Sequence, residues 1–236
     1  MRDPVAKRSE HVRRAQVPWN SQFGEDAWLY KHLFHEKTNG FYLEMGAMDG
    51  IHLSNTLFFE RAAGWKGLLI EADPVQYAGL AKNRRDSICV HAAVCGRFQT
   101  VHYHSASMVG GIFEFMAEEF KERFHKNLTV DMLPAVPCVP LMFILDKFGI
   151  GSIDMWSLDV EGAELEVLQT VDFSRLDVKV LVVELHGYDK ERDAKVVALL
   201  ERAGFDVYKM KKDDSISSLN TVFVHRSAWP RLGGVS

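Results

Sequence analysis

From Phe41 onward, short β-rich runs alternate with stretches of helical pattern, and that alternation leaves the chain few folds to choose from. Strands joined through helices run parallel, and a parallel sheet needs helices over its faces. The runs are Phe41 to Met45, Gly67 to Glu71, Ser87 to Val94, Ile153 to Asp159, Val178 to Glu184, Phe205 to Met210 and Thr221 to His225, which makes seven strands. Helical stretches fall near 54–62, 74–84, 163–170 and 189–203. Asp73 followed by Pro74 reads as an N-cap and first helical residue, while Asp189 opens the last helix and Gly204 ends it. The last two strands, separated by the polar Lys211 to Ser218, resemble a hairpin with a long loop. The expected fold class is α/β and Rossmann-like.

A chain of 236 residues suits one such domain. Residues 1–20 read as an N-terminal arm, 21–226 as the domain and 227–236 as a C-terminal tail. Ser21 is the expected N-cap of a helix running to about Phe34, with Glu25 and Asp26 at its positive end. Residues 101–148 break the alternation with Gly110-Gly111, an aromatic-rich helix over 112–124 carrying a Phe113, Met116, Phe120 stripe, and three clustered prolines at 134, 137 and 140. This reads as an insertion. In such sheets ligands bind beyond the carboxyl ends of the strands, so it can form a lid or substrate wall, with Ser105, Ser107 and the two glycines as a closing loop. A purely structural excursion is the alternative.

The net charge of −4 gives no footing for a protein that coats nucleic acid, so no nucleic-acid partner is expected. No apolar run is long enough to span a membrane. Three cysteines (Cys89, Cys95, Cys138) without a CxxC pair do not read as a disulfide framework, and a reducing, cytoplasmic setting is the expectation.

The sharpest motif is Glu44-Met45-Gly46-Ala47-Met48-Asp49-Gly50 at the end of the first strand, spaced E-x-G-x-x-x-G. Gly46 and Gly50 permit positive φ or close approach to a ligand, and Glu44 can accept hydrogen bonds from an amine. The G-x-G-x-x-G dinucleotide fingerprint is absent, and so is the lysine-bearing phosphate loop, which points to a ligand without phosphates. The second strand ends Ile70-Glu71-Ala72-Asp73-Pro74, where an acid can take both hydroxyls of a ribose. The third ends in Ala92 and Ala93, small enough to flank an adenine ring or simply to pack in a core.

These pieces, taken with Ser21 to Asp26, Ser54-Asn55-Thr56 and Ser157-Leu158-Asp159-Val160-Glu161-Gly162-Ala163-Glu164, resemble the FkbM family of methyltransferases over roughly residues 21–225. The resemblance implies a class I methyltransferase fold of seven strands, mostly parallel with the last antiparallel. It also implies methyl transfer from S-adenosylmethionine, usually to a hydroxyl oxygen of a sugar or natural product. The expected cofactor-binding set is Gln22, Asp26, Glu44, Gly46, Ala47, Gly50, Asn55, Thr56, Glu71, Ala72, Asp73, Ala92, Ala93, Asp159 and Glu161. Asp159 and Glu184 at two strand tips, with His186 as proton acceptor, are the expected catalytic groups. The same three side chains offer a divalent-metal site as an alternative, although no close-spaced metal motif appears. His102 and His104 share one side of a strand and lack a third ligand at metal spacing. The acceptor expected is a small molecule or glycan-like hydroxyl compound. N- or carboxyl-methylation is the enzymatic alternative, and a non-catalytic binding scaffold is the other.

Overall fold

The structure, a computed structural model, describes residues 17–106, 110–116, 118–185, 187, 189–209 and 220–228. Its main sheet contains β1 (Phe41–Met45), β2 (Lys66–Glu71), β3 (Ile88–His91), β8 (Ser152–Leu158), β9 (Asp177–Glu184), β10 (Phe205–Val207) and β11 (Asn220–His225). Their order across the sheet is β10-β11-β9-β8-β1-β2-β3. All pairings are parallel except those of β11, which runs antiparallel to both β9 and β10. The seven-stranded, mostly parallel sheet with an antiparallel last strand is therefore the fold of this chain. Because β1 pairs with β2 on one side and β8 on the other, the chain reverses its direction of travel there, and a crevice opens beyond the carboxyl ends of β1 and β8.

Side-chain alternation along the strands divides the core between the two faces. Leu43 and Met45 of β1, Leu68 and Ile70 of β2, and Trp156 and Leu158 of β8 point to one face. There they meet α5 (Leu141–Phe148), α6 (Glu164–Leu168) and α7 (Lys190–Arg202), which bury Leu141, Leu145, Val167, Leu168, Val196 and Leu200. The opposite face, with Tyr42, Leu69, Met155 and Val182, is covered by α1 (Glu25–Trp28) and its π-helical continuation Leu29–Leu33, by α2 (Leu57–Arg61), and by Leu80 of α3 (Pro74–Asn83).

Two helix starts match the sequence signals. Asp73 caps α3 by accepting from Val75 N at 2.7 Å, with Pro74 in the first turn, and Asp189 caps α7 by accepting from Arg192 N at 2.9 Å. The first helix starts later than expected. Gly24, at φ 85°, precedes it, and Ser21 instead exchanges hydrogen bonds with Asp26, its hydroxyl donating to Oδ1 at 2.7 Å and accepting from Asp26 N at 3.2 Å.

The insertion differs most from expectation. The run Ser87 to Val94 divides at Ala92, so that β3 stays in the main sheet while β4 (Ala93–Val94) joins a second sheet. That sheet has the order β4-β7-β5-β6, with β5 (Gln99–His104), β6 (Gly111–Ile112) and β7 (Ala135–Val139). In place of one helix over 112–124 the chain forms β6, a 3-10 turn at Phe113–Phe115 and then α4 (Glu118–Phe124). Gly111, at φ 145°, keeps the first part extended, and Tyr103↔Ile112 and His104↔Gly111 pairing satisfies its backbone. The parallel β4–β7 pairing sets Ala93 beside Cys138 and brings Cys95 and Cys138 into a disulfide. The cysteine spacing gave no sign of that bond, because 43 residues separate its two partners.

Candidate functional site

A cleft with an empty volume of about 840 Å³, its open mouth included, lies beyond the ends of β1, β2, β4 and β8. Of the residues singled out in the sequence, Gly46, Glu71, Ala72, Asp73, Ala92, Ala93, Asp159 and Glu161 line it together.

Glu71, at the tip of β2, is 3% exposed and accepts Met48 N and Asp73 N, one on each carboxylate oxygen and both at 2.7 Å. Each oxygen keeps a further lone pair for a ligand. Burial, opposed by those backbone donors and aided by the charge of Asp73, pushes its carboxyl up to about 7. Asp73 does double duty as the α3 cap and as a wall of the cleft.

The turn after β8 carries the densest charge. Glu161 stands in the left-handed region at φ 54°, followed by Gly162 at φ 93°. Glu164 folds back over the turn, accepting Val160 N at 3.1 Å and Gly162 N at 3.2 Å. Burial, Asp159 and Glu164 together raise Glu161 to about 8, and burial raises Glu164 to about 7. Asp159 is hydrogen-bonded to Glu184 at the tip of β9, and burial, then the Glu184 charge, hold its carboxyl well above the usual range. Burial raises the Glu184 carboxyl as well, and because two carboxyls can hydrogen-bond only through a proton, the pair holds one proton between them. Asp159 Oδ1 is buried with no hydrogen-bond partner, although it belongs to a cleft-lining residue. His186 and Ser107 lie outside the described residues. Among the described residues, no group of three or more His, Cys, Asp or Glu side chains is arranged to hold a metal ion.

Several expected ligand groups have partners within the protein. Glu44, read from sequence as an amine acceptor, takes Ser54 Oγ at 2.8 Å, Asn55 N at 2.8 Å and Thr56 Oγ1 at 2.5 Å. Arg84 Nη1 lies 3.8 Å away. Ser54 and Thr56 are thereby fixed as donors to Oε2, while Oε1 takes Asn55 N alone among the described residues. Asn55 donates to Ser157 Oγ at 2.9 Å. Asp26 is fully buried and takes Asn20 N, Ser21 Oγ and Ala27 N, while Gln22 is exposed.

Gly46 (φ 77°) and Gly50 (φ 75°) do need their positive φ, but what crowds them is protein. A Cβ at Gly46 would overlap the Asp159 carbonyl oxygen, and one at Gly50 would meet Arg84 Cγ at 2.5 Å. Ala47 is buried among the aromatic residues of the α1–α2 face rather than in the cleft.

Arg84 is the residue that sequence reasoning missed. Its fully buried guanidinium donates to Gly50 O (2.9 Å), Ser54 Oγ (3.0 Å), Tyr42 OH (2.8 Å) and Thr56 Oγ1 (3.0 Å), with Glu60 at 3.1 Å. It binds the glycine turn to the sheet from behind. No motif announces it, because its partners come from β1, the turn and α2.

No curated protein sequence matches the chain. Its fold is similar to solved methyltransferases at low identity. Precorrin-6y C5,15-methyltransferase from Geobacter metallireducens is 15% identical, with 84% of this chain and 86% of that one covered and a TM-score of 0.42. A TehB-like S-adenosylmethionine-dependent methyltransferase from Corynebacterium glutamicum is 12% identical, with 94% and 96% covered and a TM-score of 0.44. Among the described residues no helix is long and apolar enough to cross a membrane. The methyltransferase FkbM domain model matches residues 44–207, from the tip of β1 to the end of β10. The chain thus belongs to the FkbM methyltransferase family and is an S-adenosylmethionine-dependent enzyme.

Proposed function

We propose that the enzyme methylates a hydroxyl oxygen of an uncharged small-molecule or glycan-like acceptor, and the hydrogen-bonded Asp159–Glu184 pair beside the cleft carries this reading. The cofactor fits the residues present. Glu71 has free lone pairs for a ribose diol, Ala92 and Ala93 leave room for a flat base, and the unpartnered Asp159 Oδ1 faces a cationic ligand. S-adenosylmethionine supplies a methyl group already activated by its sulfonium, so the protein's task is chiefly alignment.

The acids also select the acceptor. A phosphorylated or carboxylate acceptor would approach the negative charge that remains on the Asp159–Glu184 pair, with no described cation in the cleft lining to offset it. An amine would be held as an ammonium ion, which has no lone pair for the methyl carbon. A neutral hydroxyl can donate to Glu184 while its oxygen faces the methyl group, and the carboxylate then takes the proton as the new C–O bond forms. His186, two residues beyond Glu184, is proposed from sequence alone as the group that passes this proton on.

The test is release of S-adenosylhomocysteine across a panel of hydroxylated, amine and phosphorylated acceptors, repeated with Glu184→Gln and Asp159→Asn. Neutral hydroxyl acceptors should turn over, and both variants should bind cofactor yet lose at least about 100-fold in kcat, the usual worth of a positioned base. Turnover confined to amines or phosphorylated compounds would refute the reading.

A further inference from the structure

The insertion faces the cofactor cleft with four residues, Tyr103, Ser105, Ala106 and Ile112. Tyr103 stands out among them. Val101 and Tyr103 share one face of β5; Val101 is buried in one cluster with Ala93, while Tyr103 and Ala72, the residue directly after Glu71, lie at that cluster's edge and line the cleft with Ala93. The phenol oxygen lies in the combined field of Glu71, Asp73, Glu161 and Asp159, with Glu71 exerting the largest influence of the four. The other face of β5 is committed elsewhere: His102 Nδ1 meets Glu114 at 2.7 Å, and the His104 ring packs edge-on to His125 at 4.5 Å.

The insertion is also fastened down over this edge. Arg192 of α7 reaches the Phe115 carbonyl at 3.4 Å and Glu166 of α6 at 2.6 Å. At Gly111 a Cβ would sit 3.4 Å from the Glu161 Cβ, so β6 rests directly on the turn after β8.

From this geometry we infer that the insertion is the outer wall of the nucleoside half of the cleft, not a wall for the acceptor, and that the Tyr103 ring covers the adenosine of the cofactor. The inference rests on the assignment of Glu71 to the ribose. An aromatic face opposite small alanines makes a slot for a flat base. Stacking on such a face tolerates any nucleobase and rests on the ring rather than on the hydroxyl.

The test is calorimetric titration of wild-type enzyme, Tyr103→Phe, Tyr103→Leu, Tyr103→Ala and Glu71→Gln with S-adenosylmethionine, S-adenosylhomocysteine and 5′-methylthioadenosine, with a thermal melt of each variant. Tyr103→Ala should weaken all three ligands alike by about tenfold or more, because they share the nucleoside. Tyr103→Phe should stay within about threefold of wild type. Tyr103→Leu, which preserves most of the volume should the alanine variant fail to fold, should resemble alanine. If Glu71→Gln weakens binding while folded Tyr103→Leu and Tyr103→Ala bind all three ligands as wild type does, the inference is overturned and the ribose assignment stands. If Glu71→Gln binds normally, the ribose assignment fails and takes the inference with it.

Discussion

Replacing Arg84 with methionine removes the cation that supports the glycine turn while keeping most of the side-chain volume. In the native protein the guanidinium is fully buried and faces Glu44 at 3.8 Å and Glu60 at 3.1 Å, while donating to Gly50 O, Ser54 Oγ, Tyr42 OH and Thr56 Oγ1. Its loss strands two acids in the core. Breaking one side of a buried ion pair costs about 3–5 kcal/mol. For a chain of this length each kcal/mol lowers Tm by roughly 2–4 °C, so thermal unfolding followed by circular dichroism should show a fall of about 6–20 °C. Lysine supplies the charge but not the planar fork, and should recover only part of the loss. Burial alone would raise the Glu60 carboxyl, yet the Arg84 charge together with hydrogen bonds from Ser87, Tyr42 and Arg84 holds Glu60 below its ordinary value. A depressed carboxyl contributes stability that is present above its unfolded pKa and is lost as pH falls through the lower folded value. The difference between wild type and Arg84→Met should therefore shrink below about pH 4. A methionine variant that melts within 2 °C of wild type, or a difference that stays constant down to strong acid, would refute the reasoning.

Other outcomes follow from the same site. Glu161 and Glu71 stand at about 8 and about 7 in the free protein, above the unfolded carboxyl value, so they hold protons that a cationic ligand displaces. Cofactor affinity should rise between pH 6 and 8, and calorimetry in buffers of different ionisation enthalpy should detect the protons released. For the free protein the sign is opposite: the two acids' contribution to stability declines as pH rises from about 4.5 towards 8, which a series of thermal melts can check. Gly46→Ala should destabilise severely, since it adds both a positive-φ strain and an overlap with the Asp159 carbonyl, and should show as poor soluble yield or a large loss of Tm. His186→Ala should lower kcat with cofactor affinity unchanged; unaltered turnover in a folded variant removes its role in passing the proton on.

What could be read from sequence was what is local. Asp73-Pro74 and Asp189 declare helix starts within three residues, and Glu71 and Asp159 end strands whose period is plain, so both the sheet and one wall of the cleft were legible. The surroundings of Glu44 were not legible, because a strand-tip acid before a glycine turn looks the same whether it faces a ligand or the protein; its partners Ser54, Thr56 and Arg84 come from elsewhere in the chain. The glycines were identified correctly as positions of positive φ, but only packing reveals that the Asp159 backbone and Arg84 are what exclude a side chain. The insertion was legible as an interruption and opaque in detail. Its strands pair across long separations, as in Gln99↔Cys138, and three prolines flank or enter β7 without preventing it from pairing. Tyr103 and the Cys95–Cys138 bond reach their places only through that pairing.

The most direct test of the account is calorimetric titration of the folded protein with S-adenosylmethionine and S-adenosylhomocysteine, with Glu71→Ala as the comparison and NAD as the control. The account predicts saturable binding of the first two, a marked loss in the variant and no binding of NAD. Equal affinity in wild type and Glu71→Ala, or no binding of either ligand to a folded enzyme, would contradict it.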